Sequence, residues 1–536
     1  MEKKRLKLPV GIPTFEELRS NGYVYVDKTK YLVELIDSGK IYFLARPRRF
    51  GKSLTVSTFE ALFSGWKHLF KGLYAEEFVN RPDFEPIPVI WLDMSKISTS
   101  DGIEGMKKSI LNLTNRTAKK LGIELSDSNS TGDLLGELIE EAAKKYNQKV
   151  VILLDEYDKP YTDFVNDIDM ANKVRNILRD YYSQIKANDR YLRFTFITGI
   201  SKFARFGVFS TLNNVEDISL MPKYAEICGY TEGEIVRYFP DYLEETANEM
   251  RISTQELIEK MRHYYNGFCF DREAKARLYN PFSTLLFFRE MDFANFWIES
   301  GKSKLIADYM KDRRLTVEQF RGLSVSKDFA RSPGDMDETP PEGFLYQAGY
   351  LTLRKGDRDE LALDYPNTEV LNSMSGLLAQ NLLAKPVSQL RDDLFTALDY
   401  NDMDELTAQM NRLLAGIPYD DYSVAAKQVV YKRGYGYPAQ EWLYRSNILS
   451  FLRGCGVVVD AELHTHLGRP DLVITWQGKT WIIEIKVAYK GESAEKKAEE
   501  AYRQIIERQY AKPFPGAICV GLGIDDTLRQ IVSIKN

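Results

Sequence analysis

The chain has 536 residues, a length that accommodates about three or four domains. Apolar residues make up 44% and charged residues 28%, and the net charge is −5, so the chain as a whole is globular and is not a basic nucleic-acid-binding protein. Its four scattered cysteines form no CxxC pair, and no apolar stretch approaches the ~18 residues of a membrane span. We therefore expect a cytoplasmic protein without a disulfide framework, a signal peptide or a membrane partner.

The N-terminal part of the chain alternates short apolar strands with helical patterns. Strands are predicted at residues 40–45, 88–93, 150–155 and 192–198. Strands that alternate with helices favour a parallel sheet with helices on both faces. We therefore predict an α/β domain of this kind for residues 1–225.

A loop that contains glycine and arginine follows the first strand. Residues 46–53 (RPRRFGKS) lie between that strand and a helix predicted at 55–62. This is the context of a Walker A phosphate loop, whose backbone N–H groups face phosphate oxygens. Lys52 is expected to reach the β- and γ-phosphates of ATP, and Ser53 to bind Mg²⁺. The usual motif begins with glycine, and Arg46 stands in that position.

Two acidic residues, Asp155 and Glu156, end the third predicted strand, as in a Walker B motif. In phosphate-loop ATPases the first acid supports Mg²⁺ and the second orients the attacking water. At the end of the fourth strand, Thr198 or Ser201 could sense the γ-phosphate, although Thr198 equally suits a plain strand end. Arg205 fits either an arginine finger or a solvated surface arginine. The predicted ATP-binding residues are Arg46, Arg49, Gly51, Lys52, Ser53, Leu54, Asp155 and Thr198.

Five short segments form a family pattern: 25–29 (YVDKT), 46–53 (RPRRFGKS), 154–160 (LDEYDKP), 196–202 (FITGISK) and 265–268 (YNGF). They resemble the AAA-ATPase-like family of bacteria, and the resemblance covers residues 8–290. Arginine at the first position of the phosphate loop belongs to that family's pattern. The resemblance implies ATP binding by a STAND-like module of the P-loop ATPases.

The character of the sequence changes after about residue 225. Residues 231–305 have helical patterns rich in aromatic residues, and Thr231 with Glu234 suits a helix start. By analogy with the family we predict a helical lid at 226–325. Its aromatic side chains could stack on nucleic-acid bases, but we favour packing in a helical core.

A loop rich in Asp, Pro, Gly and Ser follows at residues 326–343. Short strands are then predicted at 344–365 and helices at 367–415. By the same analogy, residues 326–430 are predicted to form a winged-helix-like or helical linker region.

The last hundred residues have an element order of their own: a helix at 439–453, strands at 456–463, 470–475 and 480–487, a helix at 494–510 and a strand at 516–522. Asp471 begins the second of these strands, and Glu484 and Lys486 lie on the third. Residues i and i+2 of a strand share a face, so Glu484 and Lys486 point the same way, and a hairpin brings Asp471 beside them. Two carboxylates can bind Mg²⁺, which with the lysine can activate water and stabilise charge on a phosphodiester.

This order, with PD at residues 470–471 and ExK at 484–486, resembles the PD-(D/E)XK nuclease superfamily. The resemblance covers about residues 430–525 and implies a small nuclease domain of restriction-endonuclease-like α/β fold at 431–536. An inactive site in the same fold, or a merely solvated strand face, are the alternatives.

Further residues match the superfamily around this motif. Glu441 matches an acid that the preceding helix often supplies, and Gln504 and Tyr510 match a Gln-x5-Tyr pattern of possible accessory residues. His464 and His466 could bind a transition metal, but we favour a polar loop. The predicted catalytic residues are Glu156, Asp471, Glu484 and Lys486, and the predicted metal ligands are Ser53, Asp155, Glu441, Asp471 and Glu484, with Mg²⁺ or Mn²⁺ at the nuclease site.

Two complete sites in one chain favour an ATP-controlled nuclease. ATP binding or hydrolysis would change the domain arrangement, and the C-terminal domain would cut DNA or RNA, by analogy in phage or mobile-element defence. The competing hypothesis is a STAND-type nucleotide switch or scaffold whose C-terminal domain binds nucleic acid or protein without cleaving it. A translocating motor is a third hypothesis, although the sequence has no helicase motifs beyond the ATPase pair. An oligomer is compatible with each.

Overall fold

The computed structural model describes residues 5–164, 167–200, 214–297, 317–326, 329, 341–356, 360–382, 387–415, 439–461 and 468–535. The chain forms two compact units, one of Met1–Trp297 with Gly322–Asn367 and the other of Ile298–Arg321 with Thr368–Asn536. No helix in these described ranges combines the length and apolar composition needed to cross a membrane. The predictions for Ser201, Arg205, His464 and His466 lie outside the described residues.

A sheet of five strands forms the centre of the first unit: β1 (Ile41–Ala45), β2 (Val89–Asp93), β3 (Val150–Asp155), β4 (Leu192–Gly199) and β5 (Glu216–Asp217). The strands are ordered β2-β3-β4-β1-β5, and every pairing is parallel. The predicted α/β fold is thereby confirmed. Strand β4 separates β1 from β3, so the loop after β1 and the acids that end β3 lie at the same edge of the sheet, one strand apart.

Eight helices of the described residues accompany this sheet: α1 (Phe15–Ser20), α2 (Thr29–Ser38), α3 (Lys52–Phe63), α4 (Glu76–Val79), α5 (Gly102–Lys120), α6 (Thr131–Tyr146), α7 (Lys159–Thr162) and α8 (Ile168–Ala187). Helices α3, α5 and α6 contact the strands. Strand β3 is buried along its whole length, as expected for a central parallel strand of β-branched and leucine residues. The helix predicted at 55–62 is confirmed as part of α3.

The described residues of the rest of the first unit form four helices, α9 (Glu232–Tyr238), α10 (Pro240–Glu249), α11 (Thr254–Tyr265) and α12 (Pro281–Glu290), then β6 (Leu323–Val325), α13 (Pro341–Ala348), β7 (Thr352–Lys355) and β8 (Leu361–Asp364). Thr231 and Glu234 form the expected capping box at the start of α9. The prediction of strands at 344–365 is wrong for residues 344–348, which belong to α13. Phe344 and Leu345 are adjacent buried residues, which suits a helix better than an alternating strand.

The second unit combines helices with a mixed sheet: α14 (Thr368–Leu382), α15 (Val387–Tyr400), α16 (Met403–Ala415), α17 (Ala439–Gly454), α18 (Ala494–Glu507), β9 (Val458–Ala461), β10 (Leu472–Trp476), β11 (Lys479–Ala488), β12 (Ile518–Asp525) and β13 (Gln530–Lys535). The strand order is β13-β12-β11-β10-β9, in which only β11 and β12 are parallel. The predicted helices and strands of this region are present, and β13 is an additional strand.

Alternation along β11 separates two cores. Ile483 and Ile485 belong to a large apolar cluster that includes residues of α17, whereas Ile482 packs with Ile505 of α18. Because side chains alternate along a strand, Glu484 and Lys486 share the face of Ile482. The face toward α18 therefore holds the polar pair.

Helix α18 lies directly on the backbone of β12. A Cβ added at Gly521 would clash with the carbonyl oxygen of Ala498, and one added at Gly523 with that of Ala494. The helix presents a buried stripe of small residues to the strand, as predicted. Gly521 and Gly523 pair with Glu484 and Lys486 across the ladder, so these glycines determine how close α18 comes to the polar pair. The stripe consists of Ala494, Ala498, Ala501 and Ile505.

Replacement of Gly523 by alanine should destabilise the second unit. The added methyl group has no room against α18, and we expect a cost of about 1–3 kcal/mol in unfolding free energy. Calorimetric unfolding would show the shift. Gly233→Ala is the matched control, because a Cβ there meets nothing within 4 Å. Equal stability of the two variants would contradict the close packing.

Candidate functional site

The loop of residues 46–53 joins β1 to α3 through two left-handed residues. Arg49 has φ 64° and Gly51 has φ 96°. A Cβ at Gly51 would meet nothing within 4 Å, so its conformation rather than lack of space favours glycine. Gly51 is the residue before α3, so the free N–H groups of the helix start lie at the end of this loop.

Lys52 begins α3, and its ammonium group is buried against the loop. It donates hydrogen bonds to the carbonyl oxygens of Arg46 and Pro47 at 3.0 and 2.9 Å. Burial lowers the pKa of Lys52, while the nearby Glu156 and Asp155 act in the opposite direction. The lysine therefore lies between the loop and the acids that end β3.

Ser53 and Asp155 are direct neighbours. The Ser53 hydroxyl lies close enough to Asp155 to lower the pKa of its carboxyl, and Asp155 is only 2% exposed. Burial raises the pKa of Asp155 to about 6, although the Ser53 hydroxyl and the charge of Lys52 lower it. A hydroxyl and a carboxylate side by side are oxygen ligands of the type that Mg²⁺ accepts, so the pair fits the predicted metal.

Glu156 and Thr198 complete this edge of the sheet. Glu156 has φ 49°, and its N–H donates to Asp155 Oδ1 at 3.0 Å. Thr198 is fully buried, pairs with Leu44 of β1, and its Oγ1 has no hydrogen-bond partner in the described part of the chain. A buried hydroxyl without a hydrogen-bond partner is costly, so this group is suited to a ligand bound at the edge where the loop after β1 and the acids that end β3 lie.

The side chain of Arg46 is buried among backbone carbonyl groups. It is 1% exposed, and Nη1 donates to Ala45 O at 2.9 Å and Ser219 O at 2.7 Å. Nη2 donates to Tyr224 O at 3.1 Å and Ala225 O at 3.3 Å. Burial lowers the pKa of Arg46. This placement favours a structural role for the side chain, in which it binds the segment after β5 to the loop.

Aromatic rings hold the rest of the loop. Phe50 is buried edge-on against Phe268 and Phe270, with centroids 4.8 and 5.1 Å apart. The guanidinium of Arg49 lies 3.6 Å from the centroid of Phe282. These aromatic residues of the predicted lid therefore support the loop from the core, and Phe268 belongs to the YNGF segment of the family pattern.

Asp93 is an acidic residue that the motif search missed. It ends β2 and pairs in register with Asp155, and its charge contributes to the raised pKa of that carboxyl. Its own carboxylate accepts the Ser95 N–H at 3.1 Å and lies 3.0 Å from Lys96 Nζ. The sequence feature that could have identified Asp93 is its position at the end of the second predicted apolar strand.

In the second unit, the β10–β11 hairpin brings Asp471 and Glu484 together. Leu472 pairs with Ile483, so the two acids stand opposite each other at 2% and 3% exposure. The Asp471 N–H donates to Glu484 Oε2 at 3.3 Å, and the Ile485 N–H donates to Asp471 Oδ2 at 2.8 Å. The predicted hairpin thus places the acids within one hydrogen-bonded group.

Burial dominates the electrostatics of this group. Burial, together with the charge of the neighbouring Asp471, raises the pKa of Glu484 to about 9. It also raises the pKa of Asp471 and of Glu441 on α17, while the positive charge of Lys486 lowers both. The Gln504 amide donates to Glu484 Oε1. The structure therefore brings together the predicted acids, the lysine and Gln504.

Tyr510 has a supporting position. It is buried in the small cluster of Ile482, Ile505 and Cys519. A Cβ at Gly468 would lie 2.8 Å from its hydroxyl oxygen, so Tyr510 packs against the segment that precedes Asp471.

Arg445 is the second residue that sequence reasoning missed. It lies four residues after Glu441 on α17, is 5% exposed, and its Nη1 lies 3.2 Å from Asp471 Oδ1. The sequence already indicated that Arg445 lies near this group, because it stands four residues after Glu441 on a predicted helix.

No three His, Cys, Asp or Glu side chains of the described residues are arranged as a ready metal site. The adjoining carboxylates of Asp471 and Glu484 nevertheless fit a divalent cation that prefers oxygen ligands.

The substitution Arg46→Lys tests whether the Arg46 side chain stabilises the fold or contacts ATP directly. An ammonium group cannot donate to four carbonyl groups, so we expect the first unit to lose about 2–4 kcal/mol of unfolding free energy. Urea denaturation measures the loss, with the exposed Arg116→Lys as control. Unchanged stability together with weaker MgATP binding would instead identify Arg46 as a nucleotide ligand.

Comparisons with known families match both halves of the chain. A family described as predicted AAA-ATPase, AAA-ATPase-like, matches residues 9–209. The PD-(D/E)XK nuclease superfamily matches residues 439–526. Both resemblances found in the sequence are thereby confirmed.

A relative extends over nearly the whole chain. It is an uncharacterized protein from the vnfD 5′ region of Azotobacter chroococcum mcd 1, 32% identical over 517 residues, which are 95% of this chain and 94% of that protein. The chain belongs to the same family as that Azotobacter protein, and it joins an AAA-ATPase-like domain to a domain of the PD-(D/E)XK nuclease superfamily.

Proposed function

We propose that this protein is an ATP-binding P-loop ATPase that controls Mg²⁺-dependent cleavage of phosphodiester bonds in DNA or RNA. The observation that supports the nuclease most strongly is the buried pairing of Asp471 with Glu484 beside Lys486, inside a domain of nuclease ancestry. The proximity of Ser53 and Lys52 to the buried Asp155 supports the ATP site.

At the ATP site, residues 46–53 act as a Walker A loop and β3 ends in a Walker B pair. The N–H groups of Gly51, Ser53 and Leu54 are suited to phosphate oxygens, since they lie at the start of α3. Lys52 would leave the loop carbonyls for the phosphates, and Ser53 and Asp155 would hold Mg²⁺. Bound MgATP supplies the γ-phosphoryl group. Three further residues would contribute to this site. Glu156 would orient the attacking water, Arg49 would line the loop, and Thr198 would sense the γ-phosphate.

At the nuclease site, Asp471, Glu484 and Glu441 would hold the metal ion. A bound Mg²⁺ or Mn²⁺ lowers the pKa of a water molecule and stabilises negative charge on phosphate. Lys486 adds a positive charge on the same strand face, where it can stabilise the developing phosphorane. Gln504 holds Glu484 in its orientation, because its amide donates to that carboxylate.

We propose that the ATP site controls the nuclease site, which would account for the fusion of the two domains in one chain. Nucleotide-dependent rearrangement in a STAND-like module would decide when the nuclease acts, in the cytoplasm and, by analogy, in defence against phages or mobile elements. The alternative is a nucleotide switch whose C-terminal domain binds without cleaving. The ion pair between Arg445 and Asp471 favours that alternative, because it engages an acid that cleavage requires.

Lys52→Ala should weaken MgATP binding by about 10- to 100-fold, the loss expected when one charge-assisted contact to phosphate is removed. Isothermal titration calorimetry with MgATP would measure the change. Lys119→Ala, an exposed lysine on α5, is the control and should bind as the natural protein does. Equal affinity of the two variants would exclude Lys52 from the site.

Glu484→Gln should reduce metal-dependent cleavage by at least about 100-fold, because it removes a charged metal ligand while it keeps the shape of the side chain. The assay incubates the full chain with single- and double-stranded DNA and RNA, with Mg²⁺ or Mn²⁺ and with or without ATP. Glu499→Gln, an exposed residue of α18, is the control.

Three outcomes of this assay are informative. Cleavage that is lost in Glu484→Gln and altered in Lys52→Ala would support an ATP-controlled nuclease. Cleavage that persists in Glu484→Gln would refute the site assignment. No cleavage by the natural protein in any condition, with ATP still bound, would favour the nucleotide switch.

A further inference from the structure

Arg445 introduces a positive charge into the acidic group of the second unit. Its Nη1 lies 3.2 Å from Asp471 Oδ1, and the two side chains are 7% and 3% exposed. Glu441 lies one helical turn earlier on α17, so both residues present the same side of that helix. An ion pair with so little access to water is screened weakly, and its strength affects any other cation that approaches Asp471.

The four oxygens of the two central carboxylates each accept a hydrogen bond. Asp471 accepts from Arg445 and from the Ile485 N–H. Glu484 accepts from Gln504 and from the Asp471 N–H. Only one of these four donors, Arg445, is charged. The three neutral donors orient the carboxylates, whereas Arg445 also neutralises one of them.

Charge balance separates two states of this group. With a divalent ion present, the three carboxylates of Glu441, Asp471 and Glu484 face that ion together with Arg445 and Lys486, which leaves one excess positive charge. Withdrawal of Arg445 from Asp471 returns the sum to zero. Buried charge without compensation is strongly unfavourable, so the balanced arrangement is preferred.

We propose that Arg445 is an internal counter-cation, which neutralises Asp471 in the absence of metal and competes with the divalent ion for that carboxylate. Arg445 is thus a positioning residue that sets the affinity of the nuclease site for its metal. This inference rests on the proposed metal-dependent function.

The test is direct measurement of Mn²⁺ binding, without nucleotide and without nucleic acid. All proteins are full-length and include Asp155→Asn, so that Mn²⁺ at the phosphate loop does not contribute. Arg445→Gln removes the charge but retains an N–H donor for Asp471. Electron paramagnetic resonance of free Mn²⁺ gives the dissociation constant, and the Mn²⁺-induced rise in melting temperature gives a second readout.

We expect Arg445→Gln to bind Mn²⁺ about tenfold more tightly than its parent, because a competing buried charge is gone. Arg445→Lys retains the charge and should bind within about threefold of the parent. Arg503→Met removes an exposed arginine from α18 and should leave the affinity unchanged. Addition of Asp471→Asn should abolish the gain, since the competition is for that carboxylate.

Equal or weaker binding by a folded Arg445→Gln protein would overturn the inference while leaving the metal-dependent nuclease intact. Absence of Mn²⁺ binding in every protein, including Arg445→Gln, would overturn the proposed metal site and this inference with it. Circular dichroism verifies folding before each titration. Where Arg445→Gln does not fold, Arg445→Met, with an unbranched apolar stem of similar reach, takes its place under the same expected result.

Discussion

Compensation of buried charge is the constraint on which both units depend. Arg46 is surrounded by carbonyl oxygens and Lys52 donates to two more. Asp155 lies beside a hydroxyl, and Asp471 is bound by Arg445. An ionised group removed from water without such partners would cost several kcal/mol, so each of these residues determines what must pack around it.

These compensating contacts fall into two kinds. Both terminal nitrogens of Arg46 bind carbonyl groups of the protein's own backbone, which favours a structural role in the fold. The contacts of Lys52, Asp155 and Asp471 are the ones that we propose ATP or a metal ion to replace. In that proposal, their partners in the fold substitute for a ligand of similar charge.

Local spacing accounts for what the sequence predicted well. Strands β1 to β4 were recognised because apolar runs of five to eight residues end in turn or acidic residues, and the loop at 46–53 followed from its position between strand and helix. The pair Glu484 and Lys486 followed from the two-residue period of a strand. The strands β5, of two residues, and β13, at the end of the chain, had too little pattern to be recognised.

The sequence by itself determined which residues we propose to carry the chemistry: the phosphate-loop lysine, the acids that end β3, and the acids and lysine of the β10–β11 hairpin. These depend on order and period along the chain, which are local properties. Only the tertiary structure decided which partner each charge has. Arg46 meets residues more than 170 positions away, and Arg445 meets Asp471 across 26. Such pairs arise only when segments far apart in the chain pack together, here the segment after β5 on the loop after β1, and α17 beside the β10–β11 hairpin.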